Sequence, residues 1–180
     1  YLISETTYGN RLHAALQTIE EDFAAVVNQV AKAGGKLIIP AFALERTQEI
    51  VYHLNLLQKK NMIPDIPVYV DSPLAGNVTE VFRSHMECYD KKTCDEFVKN
   101  GDNPFGFGML KYTRSVEESK ALNDKAGPMI IISASGMCEH GRVLHHLKNN
   151  LEDPKNVVLI VGYQAENTLG RKLVNGMKEV

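Results

Sequence analysis

The chain has 180 residues, with 20 basic and 22 acidic side chains, a net charge of −2 and three cysteines. That length builds one core of ordinary size without metal or disulfide staples, and the odd set Cys88, Cys94 and Cys138 fits neither a paired disulfide framework nor a CxxC metal knuckle. The near-neutral charge excludes a surface that coats nucleic acid as a broad cation, so any such contact is local; no signal-peptide, membrane-length or low-complexity segment is present, and a soluble, cytoplasmic protein without membrane contact is expected.

In chain order, helical spacing runs from Leu12 to Ala33 and stops at Gly34-Gly35. The apolar run Lys36–Pro40 predicts a strand, Leu44 to Lys59 a helix, Pro67–Asp71 a second strand, and Pro73 to Val98 a long helix. Asn100–Pro104 is a loop and the expected mobile segment, Met109 to Thr113 a weaker strand, and Ser115-Val-Glu-Glu118 a capping box that opens a helix over Val116 to Asn123. Met129–Ile132 predicts a strand, Val143 to Leu151 a helix, and Asn156–Val161 a last strand. Strands with no alternation, separated by amphipathic helices, define an α/β, Rossmann-like three-layer domain: a mainly parallel sheet covered by helices on both faces. No repeat or second-domain linker interrupts it.

Ligands of such sheets bind beyond the carboxyl ends of the strands. Four loops lie there: Pro40–Arg46, Asp71–Gly76, Ser133–Arg142 and Gly162–Arg171. All mix small residues with polar ones, the composition of a ledge that a backbone-sized ligand approaches closely. In the third, Gly136 and Gly141 have P-loop spacing, but Arg142 and Val143 stand where the Lys and Ser/Thr belong, so nucleotide hydrolysis through a loop-held Mg²⁺ is not expected. The loop is either a phosphate cradle or an ordinary tight β-to-α turn. Arg46 and Arg142 fall in first helical turns, where the helix dipole disfavours a cation; either a bound phosphate reverses that or they pair locally with Glu45, Glu49 or Glu139.

Six histidines form neither HExxH nor HxH. His145 and His146 point about 100° apart on a helix and do not readily chelate one ion together, so no metal site is expected within this chain. Ser133 and Ser135 lack a nucleophile-elbow motif, and GxGxxG is absent. Asp71 fits an acid, a base or, more commonly, a helix cap. Tyr8 and Tyr163 fit base stacking, phosphate contact or plain packing. Glu5 ends a short apolar lead, Tyr1–Ile3; a chain that begins mid-strand reads as a domain cut from a longer polypeptide.

Glu-Thr-Thr-Tyr-Gly-Asn-Arg at 5–11 resembles motif A of the β-CASP nucleases, a branch of the metallo-β-lactamase superfamily. Ile39–Glu49, Ser133–Met137 with Gly141-Arg142, and Val161–Gly170 agree with the family in order and spacing, closer to its bacterial and archaeal RNase branch, which is similar to the cleavage and polyadenylation factor endonuclease. The resemblance implies a zinc-dependent RNA phosphodiesterase acting in RNA processing or decay. Two metals would activate water between a metallo-β-lactamase domain and this one. Residues 1–180 would be a single β-CASP domain, with 1–5 the tail of the metallo-β-lactamase domain and the two ends adjacent in space. The His-x-His-x-Asp-His motif and the motif B and C histidines lie outside the matched span, so the zinc ions belong to the full-length protein and this chain alone is inactive. Only the motif A acid, Glu5, carries over as a catalytic residue; there it supports protonation or orientation. Arg46, Ser135, Gly136, Arg142, Tyr163 and Gln164 are the expected substrate-binding residues, lining the phosphate-backbone side of an RNA groove. Expected partners are RNA and the missing metallo-β-lactamase domain, with a homo-oligomer left open. The alternative is a non-catalytic nucleotide- or RNA-binding or partner-docking module; a free-standing phosphosugar-binding domain would need Tyr1 near a true start.

Overall fold

A computed structural model describes residues 1–10, 12 and 18–177. Five strands, β1 (Lys36–Pro40), β2 (Val68–Asp71), β3 (Leu110–Tyr112), β4 (Met129–Ser133) and β5 (Val157–Val158), form one sheet in the order β3-β2-β4-β1-β5. Every pairing is parallel, with Leu37 beside Ile130 and Val70 beside Ile132. The helices are α1 (Ile19–Ala33), α2 (Arg46–Lys59), α3 (Pro73–Ser84), α4 (Lys91–Glu96), α5 (Val116–Asp124), α6 (Arg142–Asn150) and α7 (Leu169–Val174).

Strand side chains alternate between two helical layers. Leu37, Ile39, Val68, Val70, Ile130 and Ile132 pack with residues of α1, α2 and α3, among them Val27, Leu54 and Ala75. Ile38 faces Val143 and Leu147 of α6, with Leu169 and Leu173 of α7 beside them, while Tyr69 and Ile131 face Leu122 of α5. Burial on both faces explains why these strands read as unbroken apolar runs.

Three expectations change. The helix expected from Pro73 to Val98 divides into α3, a 3₁₀ turn at Met86–Cys88, α4 and a second 3₁₀ turn at Val98–Asn100. His85 leaves helical geometry, and the Asp90 carboxylate accepts the Thr93 N–H at 2.7 Å, so a fresh N-cap restarts the helix without any glycine or proline. The strand expected over 156–161 keeps two residues. Leu159 N–H still donates to Ile38 O at 2.9 Å, but the next rung needs an N–H at residue 40, which is proline, and the ladder stops. The 100–104 loop, expected to be mobile, is tied to α2: the Asn55 carboxamide donates to the carbonyls of Asn103 and Pro104 at 2.9 and 3.1 Å. The capping box forms as expected, Ser115 and Glu118 each holding the other's backbone. The early part of the first expected helix, residues 13–17, and Arg11 lie outside the described residues, as do 178–180 of the second chain end. Among the described residues no helix is long and apolar enough to cross a membrane.

Candidate nucleic-acid interface

β2 and β4 are neighbours whose outgoing helices lie on opposite faces, α3 with the Val70 side and α6 with the Ile38 side. This is the switch point at which doubly wound sheets open a crevice. Here the protein's own groups occupy it. Asp71, at the end of β2, has no exposed side-chain surface and gathers four donors: the Thr113 hydroxyl, the Ser119 hydroxyl at 2.5 Å, Arg142 at 2.7 Å and His146 Nε2 at 2.6 Å. Burial alone would raise its pKa, but the hydrogen bonds from His146, Ser119, Thr113 and Arg142 outweigh that and bring it down to about 2. Asp71 is therefore ionised, and it caps nothing; Ser72 is the N-cap of α3, accepting the Ala75 N–H.

The network extends to His146. Asn150 Nδ2 donates to His146 O at 2.8 Å and to Asn123 Oδ1 at 3.1 Å. His146 Nδ1 lies 2.9 Å from that Asn123 oxygen and Nε2 2.6 Å from the Asp71 carboxylate. Both ring nitrogens thus face acceptors, and Asp71 lies between the buried imidazole and the half-buried Arg142 guanidinium. His145, its neighbour, is exposed.

Above this cluster the Ser133–Gly141 loop is knitted to itself. Ser135 N–H donates to His140 O and Cys138 N–H to Ser135 O, each at 3.2 Å, and Glu139 N–H donates to the Ser135 hydroxyl at 3.1 Å. Those three amides, which a phosphate cradle would aim outward, are committed within the loop. Gly141 takes φ 84°, and a Cβ there would sit 2.7 Å from Ala134 O; only glycine fits. At Gly136 a Cβ would meet the ring edge of Phe42 at 3.0 Å, so the β1 and β4 loops touch.

Gln164 joins the last loop to this one. It is buried, and its Nε2 donates to the carbonyls of Gly136, Tyr163 and Gly162 at 2.9, 3.0 and 3.2 Å. Glu139 accepts the Leu169 N–H at 2.6 Å, and Gly170 N–H donates to Met137 O at 3.1 Å. Arg171 bonds Gln164 O and stands 5.5 Å from the centroid of Tyr163. Tyr8 meets Tyr163 edge-on at 6.1 Å. Glu5 itself is exposed, and hydrogen bonding from Thr7 holds its carboxyl below the ordinary range.

The sequence-expected residues therefore divide. Ser135, Gly136 and Gln164 are interior and hold the loops in place. Arg142 pairs with Asp71 rather than Glu139, and its second terminal nitrogen donates to Arg114 O at 2.9 Å. Arg46 reaches the surface, ion-paired with Glu49 at 2.5 Å, and Tyr163 is half-buried. Sequence reasoning missed the union of Asp71 with His146, Ser119 and Thr113. Its only local signal was an acid at a strand end and a His pair on a helix. Among the described residues no group of three or more His, Cys, Asp and Glu side chains is placed to hold a metal ion.

A parallel sheet between two helical layers, with its strand-end loops hydrogen-bonded to one another, defines a Rossmann-like α/β domain. The model of the Beta-Casp domain matches residues 47–173, and the chain belongs to the β-CASP family. It is 38% identical over 96% of its length to ribonuclease TTHA0252 of Thermus thermophilus, covering 39% of that protein. It is 39% identical over 99% of its length to an RNase J-like protein of Methanocaldococcus jannaschii, covering 41%, and 35% identical to the transcription termination factor FttA of Methanosarcina mazei, covering 28%. The chain thus spans about two fifths or less of the relatives it matches.

Proposed function

We propose that this chain is the substrate-clamping domain of a zinc-dependent RNA phosphodiesterase of RNA processing or decay, and that its strand-end ledge is the phosphate-backbone wall of the substrate groove. The observation that supports the reading is the contact of Tyr8, three residues after Glu5, with Tyr163 of the last strand-end loop. The names of the relatives, two ribonucleases and a termination factor, support RNA as the polymer. Two zinc ions, held by a metallo-β-lactamase domain, would supply the activated water for in-line attack.

This chain's residues bind and orient. Glu5 supports protonation or orientation near the scissile phosphate. Arg46 and Tyr163 touch the strand directly. Arg142 keeps a positive field under the ledge while anchored to Asp71, and Ser135, Gly136 and Gln164 fix the loop shape on which phosphates rest. The test is cleavage of end-labelled RNA and DNA by the full-length protein with and without chelator. RNA cleavage abolished by chelation and reduced by Glu5→Gln is expected; RNA left intact by the metal-replete protein would refute the reading.

A further inference from the structure

Beside the ledge, a groove of about 1250 Å³ opens between α2, α3 and the start of α4. Phe42 belongs to both features. Its ring edge lies over Gly136 of the ledge loop, it lines the groove, and it remains 53% exposed. Tyr52, Phe82 and Tyr89 continue an aromatic lining inward. Gln48, 1% exposed, lies in the same lining. Its Nε2 is identified by the acceptors around it, Ala43 O, Ala75 O and Thr79 Oγ1, which leaves Oε1 a buried acceptor without a partner among the described residues.

We propose that this groove holds the bases of single-stranded RNA leaving the ledge, with Phe42 as the first stacking platform; the proposal rests on the RNA reading above. Charge favours bases over phosphates inside it: Glu45, Glu49 and Asp90 outnumber Arg46 and Lys92 in the same lining, so the walls do not draw a polyanion. What they offer is ring surface. Stacking needs no sequence because every base has a π face. Phosphates would stay on the ledge while bases turn into the groove, which places Phe42 at the boundary.

The test uses the full-length protein and two non-hydrolysable 12-mers of equal charge, a 2′-O-methyl phosphorothioate oligoadenosine and its abasic counterpart. Phe42→Ala is expected to weaken oligoadenosine binding about tenfold and leave the abasic strand unchanged, and Phe42→Tyr to restore the loss. An unchanged Kd, or an equal loss for both strands with an unaltered melting temperature, overturns the proposal. So does displacement of neither strand but capture of an apolar peptide at Phe42. If the wild type cleaves RNA and Phe42→Ala binds it normally, this inference alone fails; if the wild type neither binds nor cleaves RNA, the underlying function fails with it.

Discussion

Asp71 keeps a full charge without exposed surface because four donors converge on two oxygens. Its folded pKa of about 2 lies below the ordinary aspartate value of 3.8, so its contribution is complete above about pH 5 and is lost as pH falls toward 2. The expected size is about 2 kcal/mol. Denaturant titrations from pH 5 to pH 2 should show that slope in the wild type and a shallower one in Asp71→Asn. Arg142→Ala removes one donor but leaves His146, so a loss near 2 kcal/mol is expected; a neutral result would mean that the pair does not hold the switch point. Cys138 behaves oppositely. Burial, reinforced by Glu139, pushes its thiol up to about 11, and the thiolate is the reactive form. Alkylation at pH 8 should label exposed Cys88 in the native state and Cys138 only after unfolding. None of the Asp71 partners could be read from the sequence, since they lie 42 to 75 positions away; spacing rules reach about four.

At the scale of elements, the central strands and the order of helices were legible because burial on both faces leaves a continuous apolar signature. What failed was extent. α3 and α4 share one amphipathic stretch, and Asp90 breaks it by competing for the Thr93 N–H, a choice that composition does not record. β5 is cut short by Pro40, a residue of its partner, so nothing in 156–161 announced it. Loop contact is equally non-local: the Gly35 backbone passes Lys155, and a Cβ at Gly35 would lie 1.9 Å from Lys155 O. A carbonyl in a packed chain gives way poorly, so Gly35→Ala should cost about 1–3 kcal/mol, read as a lowered denaturation midpoint.

For the whole molecule, the four strand-end loops named from sequence do meet at one edge, but most of their polar groups face each other rather than outward. Rigidity of the ledge is the product, and exposed contact falls to fewer residues than composition suggested. Arg46→Ala in the full-length protein should therefore weaken RNA binding about tenfold, whereas exposed charges remote from this edge, such as Lys148 on α6, should matter little; filter binding at fixed salt decides between them.

The two outer strands have further importance for coexistence with other copies. An incoming chain extends a sheet by hydrogen-bonding along its rim, and the gain grows with the length of rim on offer. β3 offers three residues and β5 two, so neither side presents a template long enough to seed intermolecular β-structure. Pro40, by truncating β5, shortens the rim on that side.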